Sequence, residues 1–277
     1  MAAMTEPADQ PAPALTLGDI DPNKPSPARI YDFWLGGSQN FAADREVGQR
    51  IAEAMPHLPI AARANRAFLS RVVHHLVAEL GISQLLDLGS GVPTAGNVHE
   101  VARAHNPEAK VIYVDVDPVA IAHARSLLED VPGCEAILAD VRSPATVLGH
   151  PLLQATLDLE QPVAVLMFAV LHFVPDEGAP ETIVRDFMRA TVTDSFLAIS
   201  HGVPDVHDPG TQQDAADSFA ARTGIPFIAR TPEQLSTWLT DFELVPPGLV
   251  PIFEWMPEPL AEPRENPLVY GALARKV

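Results

Sequence analysis

The chain has 277 residues, of which 47% are hydrophobic, so it is long enough to bury the core of one large domain. Its formal net charge of −18 repels a phosphate backbone, which argues against nucleic acid as a partner. The one cysteine, Cys134, excludes an internal disulfide, and neither a signal peptide nor an apolar run of ~20 residues is recognisable. We therefore expect a cytoplasmic protein without a membrane partner.

The N-terminal part of the chain predicts a tail followed by helices. Residues 1–24 are rich in Pro, Ala and acidic side chains, a composition typical of a disordered tail. Ser26 and Pro27 then supply an N-cap and a proline at the first helical position. Helices are predicted over 27–36, 42–54 and 61–80, which makes residues 25–82 an N-terminal helical cap.

From residue 83 to residue 277, short apolar strands alternate with helices. The predicted strands are Gln84–Leu88, Lys110–Asp115, Ala136–Ala139, Val163–Phe168, Phe196–Ser200 and Leu268–Ala274. The predicted helices are 95–105, 118–129, 145–157, 180–191 and 231–240. This alternation predicts an α/β fold with a mostly parallel sheet and helices on both faces.

The first predicted strand runs into a glycine-rich turn, Leu-Leu-Asp-Leu-Gly-Ser-Gly at 85–91. Glycines let the backbone approach a ligand closely, at the sheet edge where α/β folds bind ligands. The dinucleotide pattern G-x-G-x-x-G fails, because Thr94 occupies the position of the third glycine. The turn instead matches D-x-G-x-G, the first motif of class I S-adenosylmethionine-dependent methyltransferases. Cofactor contacts are therefore expected from Asp87, Gly89, Ser90 and Gly91.

Further site residues follow the next three predicted strands. Asp115 ends the second strand, where a carboxylate can accept hydrogen bonds from ribose hydroxyls, and Val116 comes directly after it. Asp140 and Val141 follow the third strand, where class I methyltransferases place an acid facing the adenine amino group. Ala169 follows the fourth strand, where the substrate normally meets the sulfonium.

Five ordered stretches of the sequence resemble one known family. They are R-I-Y-D-F-W-L-G-G-S-Q-N-F-A-A-D-R-E at 29–46, A-A-R-A-N-R-A-F-L at 61–69, L-D-L-G-S-G-V-P-T-A-G-N-V-H-E at 86–100, V-I-Y-V-D-V-D-P at 111–118 and A-V-L-H-F-V-P-D at 169–176. From about residue 25 to its end, the chain resembles a family of S-adenosyl-L-methionine-dependent methyltransferases long catalogued as a domain of unknown function. The resemblance implies a Rossmann-like class I methyltransferase fold, with a seven-stranded sheet whose last strand is antiparallel. It also implies S-adenosyl-L-methionine as cofactor, and it supplies no acceptor.

The helical cap and the turn after the fourth strand contribute the remaining predicted site residues. Asn40 and Arg66 are predicted cofactor contacts, since Arg66 or its neighbour Arg63 can pair with the methionine carboxylate. His172 is the first candidate for a general base by its position, and Tyr31 is the second. A base is needed only where the acceptor must lose a proton.

The sequence thus predicts methyl transfer from S-adenosylmethionine to a small-molecule acceptor, with insertions near 202–228 and 245–267 shaping the acceptor pocket. A non-catalytic S-adenosylmethionine-binding module is an alternative, because no catalytic residue is identified firmly. An NAD-dependent oxidoreductase is a further alternative, since Asp115 suits a dinucleotide although the glycine spacing does not. No metal site is predicted, and the oligomeric state is left open.

Overall fold

The computed structural model describes residues 20–94, 96–256 and 268–277. Residues 1–19 of the predicted tail lie outside this part of the chain, as do residues 257–267 of the proline-rich insertion. No helix within the described ranges is long and apolar enough to cross a membrane.

Helices precede the first strand, as predicted. They are α1 (Pro27–Trp34), α2 (Ala42–Ala54) and α3 (Leu58–His74), which a π-helical turn (His75–Glu79) continues. A proline lies in the first turn of α1 and of α3, where its missing N–H costs no helical hydrogen bond. Ser26 occupies the N-cap position of α1, but its side chain makes no capping hydrogen bond. Its N–H donates instead to Asp44 Oδ1 at 2.9 Å, so α1 is fixed to α2 from its first residue.

Arg29 of α1 ties the helical cap to the rest of the protein. Its Nε donates to Asp44 Oδ2 and its Nη1 donates to Asp117 Oδ2, both at 2.9 Å. All three side chains are buried, so each charge relies on its partners in place of water. Asp117 Oδ1 also accepts the N–H of Val119 at 2.8 Å. The helical cap is therefore held against the turn that contains Asp117.

Within the described residues, eight strands form one sheet. They are β1 (Gln84–Leu88), β2 (Lys110–Asp115), β3 (Cys134–Leu138), β4 (Ala164–Phe168), β5 (Phe196–Gly202), β6 (Phe242–Leu244), β7 (Val250–Pro251) and β8 (Val269–Lys276). Their order is β3-β2-β1-β4-β5-β8-β6, and the two-residue β7 pairs with β8 outside this path. The pairs within β1–β5 are parallel, whereas β8 runs antiparallel to β5, β6 and β7. The predicted Rossmann-like fold with an antiparallel last strand is confirmed, with β7 as a short addition to the seven strands of the path.

The remaining helices connect these strands, with two differences from the prediction. They are α4 (Val98–His105), α5 (Pro118–Leu128), α6 (Pro144–Leu148), α7 (Pro151–Thr156), α8 (Pro180–Arg189), α9 (Pro209–Thr223) and α10 (Pro232–Trp238). The predicted helix 145–157 is two helices, because Pro151 disfavours helical backbone at the residue before it. The insertion 202–228 contains α9, which the sequence did not predict. Asp208 caps it by accepting the N–H of Thr211 at 3.0 Å.

Apolar side chains pack on both faces of the sheet and under the helical cap. Along β1, Leu85 packs in the cluster on one face and Leu86 in the cluster on the other, as the two-residue period of a strand requires. A third cluster joins Ile30 of α1 and Ile51 of α2 to Phe219 of α9. This cluster holds α9 against the helical cap, at the carboxyl edge of the sheet where the functional site lies.

Candidate functional site

A cavity of about 380 Å³ lies between the carboxyl edge of the sheet, the helical cap and α9. Its volume falls in the range of ~300–1,000 Å³ that is usual for small-molecule sites. The predicted site residues that line it are Tyr31, Arg66, Asp87, Gly89, Ser90, Gly91, Asp115, Val116, Asp140, Val141, Ala169 and His172. The fold therefore brings all of the predicted site residues except Asn40 into one cavity.

The two glycines of the turn after β1 serve different purposes. Gly89 and Gly91 have φ angles of 73° and 66°, in the region that L side chains rarely adopt. A Cβ atom at Gly89 would collide with the side chain of Val170, so the absent side chain permits close packing of two turns. A Cβ atom at Gly91 would meet nothing within 4 Å, so this glycine leaves open space beside the turn.

Asp115 is buried at the end of β2. Its Oδ2 accepts the N–H of Gly91 at 2.7 Å, and its Oδ1 accepts the N–H of Asp117 at 2.8 Å. Burial raises the pKa of this carboxyl to about 6, and the backbone hydrogen bonds oppose the rise. Each carboxylate oxygen keeps a second lone pair, so Asp115 can still accept hydrogen bonds from two neighbouring hydroxyls.

Asp87 is buried in β1 and lies in the field of an arginine. Burial raises the pKa of its carboxyl to about 7, and the guanidinium of Arg66 opposes that rise. A cationic ligand group beside Asp87 would favour the ionised carboxylate further. Asp87 and Arg66 together are therefore suited to bind a part of a ligand that carries both a positive and a negative charge.

Three residues that line the cavity each carry a buried polar atom with no hydrogen-bond partner among the described residues: Asn65 Oδ1, Arg66 Nε and Ser90 Oγ. Arg66 Nη2 donates to Asn97 Oδ1 at 3.0 Å, so the guanidinium is held in place beside the cavity. A buried polar group without a partner costs about 1–3 kcal/mol. A polar ligand in the cavity would recover that cost.

Asp140 is already paired with an arginine. Arg142 Nε donates to both carboxylate oxygens of Asp140, at 3.0 and 2.9 Å. The predicted partner of the adenine amino group is therefore an ion pair at the cavity wall and not a free carboxylate. Val116 and Val141 line the same cavity with apolar surface, of the kind on which a flat base can pack.

Asn40 lies outside the cavity, so its predicted contact with the cofactor is not supported. Its Nδ2 donates to Asp32 Oδ2 at 2.7 Å, and its Oδ1 accepts from Arg45 Nη1 at 3.0 Å. The amide is thus occupied in fixing the loop between α1 and α2. Arg63, the alternative to Arg66, does not line the cavity either and donates to a carbonyl of α1 at 3.2 Å.

Tyr31 lines the cavity, but its hydroxyl is engaged with the protein. The hydroxyl donates to the carbonyl of Ala62 at 2.8 Å and accepts from Asn65 Nδ2 at 3.0 Å. Burial raises the pKa of the phenol. Because its proton is already held by a carbonyl, Tyr31 is better suited to shaping the wall than to exchanging protons.

His172 lies in the short 3₁₀ turn Leu171–Phe173 that follows β4. Burial, His201 and the guanidinium of Arg230 hold the pKa of its imidazole well below the ordinary value, so the ring is neutral at pH 7. Its Nδ1 accepts the N–H of Gly202 over 3.4 Å, a long and therefore weak hydrogen bond. A neutral imidazole is in the protonation state that a proton acceptor needs.

The cavity also has an aromatic and apolar wall that was not predicted from the sequence, which we call the apolar half of the cavity. It consists of Trp34, Phe173, Ala216, Phe219, Ile225 and Phe227. The rings of Phe173 and Phe219 are stacked, with centroids 5.7 Å apart and planes at 18°. One signal was available, since Gln212, Ala216 and Phe219 follow the i, i+4, i+7 spacing of a helical face.

The charged side chains that line the cavity form a separate group, which we call the charged half. Its members are Arg66, Asp87, Asp115, Asp117, Asp140 and Arg142. All but Arg66 lie in or directly after β1, β2 and β3, whereas the apolar half comes from α1, the turn after β4 and the segment that contains α9. Charge is thus segregated within one continuous cavity.

Comparison with known proteins identifies the cofactor. The profile of a family described as S-adenosyl methyltransferase matches residues 14–277 of the chain. A search of curated proteins returned no match. The cofactor is S-adenosylmethionine, as the motifs and the resemblance predict.

Solved structures agree with this match. A DUF574 family protein from Streptomyces avermitilis superposes with a TM-score of 0.87 at 38% identity, over 92% of this chain and 98% of its own. A candidate methyltransferase from Thermobifida fusca gives 0.86 at 38% identity, over 92% and 96%. TehB from Haemophilus influenzae, at 15% identity and a TM-score of 0.50 over 75% of this chain and 62% of its own, shares the fold alone. The chain belongs to the S-adenosyl methyltransferase family.

Proposed function

We propose that this protein transfers the methyl group of S-adenosylmethionine to a small-molecule acceptor that binds in the same cavity. The observation that carries the proposal is the meeting of the charged half and the apolar half at the turn after β4. In that turn, Val170 packs against Gly89 on one side, and Phe173 stacks on Phe219 on the other. Donor and acceptor would therefore meet beside Ala169 and His172.

The charged half fits the polar groups of S-adenosylmethionine. Arg66 Nε, which is buried and without a partner among the described residues, is available to the methionine carboxylate. Asp87 is available to the ammonium group, which would favour its ionised form. Asp115 can accept the ribose hydroxyls, and Val116 and Val141 offer apolar surface to the adenine. When bound there, the cofactor supplies an activated methyl group, and the protein supplies orientation.

The glycine turn, Ala169 and Asp140 complete the proposed cofactor site. Gly91 leaves space for a ligand, and Ser90, whose Oγ has no partner among the described residues, lines the cavity beside it. Ala169 has a φ of 51° and donates its N–H to the carbonyl of Ser200 at 3.1 Å, so the turn is fixed to β5. We assign the adenine end to Asp140 together with its partner arginine.

We assign to His172 the role of accepting a proton from the acceptor. Because its imidazole is neutral, its unprotonated Nδ1, which holds only the long hydrogen bond from Gly202, could take the proton of an O–H or N–H group. The proton would leave as that heteroatom bonds to the methyl carbon and the bond from the methyl carbon to the sulfonium sulfur breaks, which would release S-adenosylhomocysteine. Tyr31 is a weaker candidate for this role, since its own hydroxyl proton is bound by a carbonyl. A neutral histidine with a lowered pKa is a weak base, which favours acceptors that lose their proton readily.

The proposal is tested by following a radiolabelled methyl group. Protein and labelled S-adenosylmethionine are incubated with a cell extract that has been separated into small molecules, nucleic acid and protein. We expect label in the small-molecule fraction, and a large loss of it with Asp115→Ala. His172→Gln should retain cofactor binding and lower the rate of transfer.

Other outcomes would each contradict part of the proposal. If the labelled methyl group is found in nucleic acid or protein, the acceptor is not a small molecule and that part of the proposal is wrong. Cofactor binding without transfer to any fraction would favour the non-catalytic binding module. An undiminished rate in His172→Gln would remove the proton acceptor from the mechanism.

A further inference from the structure

The apolar half of the cavity carries information about the acceptor. Every charged side chain that lines the described cavity belongs to the charged half, where the cofactor is proposed to bind. The helices α1 and α9 contribute no charged side chain to the lining, although the chain as a whole has a net charge of −18. The chain is therefore rich in charged side chains, but none of them lines the cavity from α1 or α9.

Aromatic rings dominate the wall and form one packed group. Trp34, Phe173 and Phe227 are half-buried and pack against the cluster that contains Phe219 and Ile30. The ring centroids of His172 and Phe227 lie 4.6 Å apart, and those of His172 and Phe173 lie 4.3 Å apart. A planar aromatic guest can stack on such rings and gains more than from burial alone.

The polar side chains on this side are largely occupied by the protein itself. Gln212 Oε1 accepts the N–H of Asp205 at 2.8 Å, and its Nε2 donates to the carbonyl of Val203 at 2.9 Å. The hydroxyl of Tyr31 is engaged at both its proton and its lone pair, as described above. His172 and the unpartnered Asn65 Oδ1 remain to meet one polar group of a ligand.

We propose that the acceptor is an uncharged compound built on an aromatic ring, with one O–H or N–H group, whose ring occupies the apolar half of the cavity. A charged acceptor would lose its hydration here without finding a counter-charge, which is a large penalty. A neutral ring loses little hydration free energy on entering the cavity and gains the free energy of apolar burial. This inference rests on the proposed function and names its substrate class.

A pair of ring probes tests the inference on the whole protein. Binding of S-adenosylhomocysteine, the demethylated cofactor, is measured first, and the saturated protein is then titrated with 2-naphthol or with naphthalene-2-sulfonate. The two probes share a ring system and differ in charge. We expect 2-naphthol to bind at least tenfold more tightly than the sulfonate.

Variants of Ala216, a partly exposed residue of α9, locate the bound probe. Ala216→Trp should fill the apolar half and weaken 2-naphthol binding at least tenfold, while Ala216→Ser should change it less than threefold. Both variants should bind S-adenosylhomocysteine like the parent protein, which reports that they are folded. Should Ala216→Trp fail this check, Ala216→Phe takes its place.

The outcomes separate the two proposals. No binding of S-adenosylhomocysteine to the parent protein would overturn the proposed function, and the inference with it. If the cofactor product binds but the sulfonate equals or exceeds 2-naphthol, the inference is wrong while the function stands. The same holds if folded Ala216→Trp or Ala216→Phe binds 2-naphthol unchanged.

Discussion

The two halves of the cavity are built in different ways. In the charged half, side chains sit in or beside neighbouring parallel strands and are positioned by backbone hydrogen bonds, such as those that Asp115 accepts from Gly91 and Asp117. In the apolar half, rings from α1, from the turn after β4 and from the segment around α9 are positioned by packing on one another. Local chain geometry therefore positions the residues that we propose for the cofactor, and long-range packing positions those that we propose for the acceptor. We therefore expect substitutions in the charged half to affect cofactor binding more than substitutions in the apolar half.

The largest effect on cofactor binding is expected from Gly89→Ala. The new methyl group would collide with the side chain of Val170 in a backbone with φ of 73°, so we expect a loss of about 2–4 kcal/mol of stability. Cofactor binding should disappear, since the turn has to shift. Urea unfolding and calorimetric titration measure the two quantities.

Gly91→Ala is the matched control, because its methyl group would meet no atom within 4 Å. It should cost only the strain of a positive φ, roughly 1–2 kcal/mol. Equal destabilisation of the two variants would contradict the distinct roles that we assign to the two glycines.

Asp115→Ala should weaken S-adenosylmethionine binding by about 1–3 kcal/mol, since it removes hydrogen bonds from a charged group. Asp140→Ala should have a smaller effect, because Asp140 already shares its charge with Arg142. Calorimetric dissociation constants of the two variants test this order. An unchanged affinity in Asp115→Ala would show that the ribose assignment is wrong.

The affinity for S-adenosylmethionine should depend on pH through Asp87. Its pKa is about 7 in the free protein, and an ammonium group binds the ionised carboxylate. Affinity should therefore level off above pH 7 and fall as the carboxyl is protonated below it, by about tenfold in total between pH 8 and pH 6. Titrations from pH 8 down to pH 6 measure the slope.

Asp87→Asn is the control for that slope and should bind weakly with little dependence on pH. It should also stabilise the free protein at pH 8 by on the order of 2 kcal/mol, because it removes a carboxylate that is ionised there against the cost of burial. A flat affinity between pH 8 and pH 6 in the parent protein would contradict the contact with the ammonium group.

The smallest effect on cofactor binding is expected from Phe219→Ala in the apolar half. The variant should lose about 3–5 kcal/mol of stability, since Phe219 is 6% exposed and packs from α9 against the helical cap. Its affinity for S-adenosylmethionine should stay within threefold of the parent value. A larger loss would show that the two halves are not energetically separate.

The fold and the charged half could be predicted from the sequence, because both follow from the positions of the strands. Strand periodicity placed β1, β2 and β4, and parallel strands bring their carboxyl ends to one edge. Asp87, Asp115 and Asp140 lie in or shortly after β1, β2 and β3, which are neighbours in the sheet, and this brings them to the same edge.

The apolar half could not be predicted from the sequence, because its residues come together only through tertiary packing. Asp208 and Pro209 are the N-cap and the first residue of α9, a helix that was not predicted. The predicted contribution of 202–228 to the pocket fits the lining residues that α9 supplies. The described part of the second insertion, 245–256, contributes none.

Asn40 was predicted to contact the cofactor, but it does not line the cavity. A polar residue after Gly36 and Gly37 resembles a ligand contact, but the amide is taken by Asp32 and Arg45. Which partner a polar side chain finds depends on the path of the whole loop.

Calorimetric titration of the purified protein with S-adenosylmethionine, with NAD as control, tests the central claim most directly. We predict one-to-one binding of S-adenosylmethionine in the micromolar range and no binding of NAD. Binding of NAD without S-adenosylmethionine would contradict the assignment of the charged half and favour an oxidoreductase.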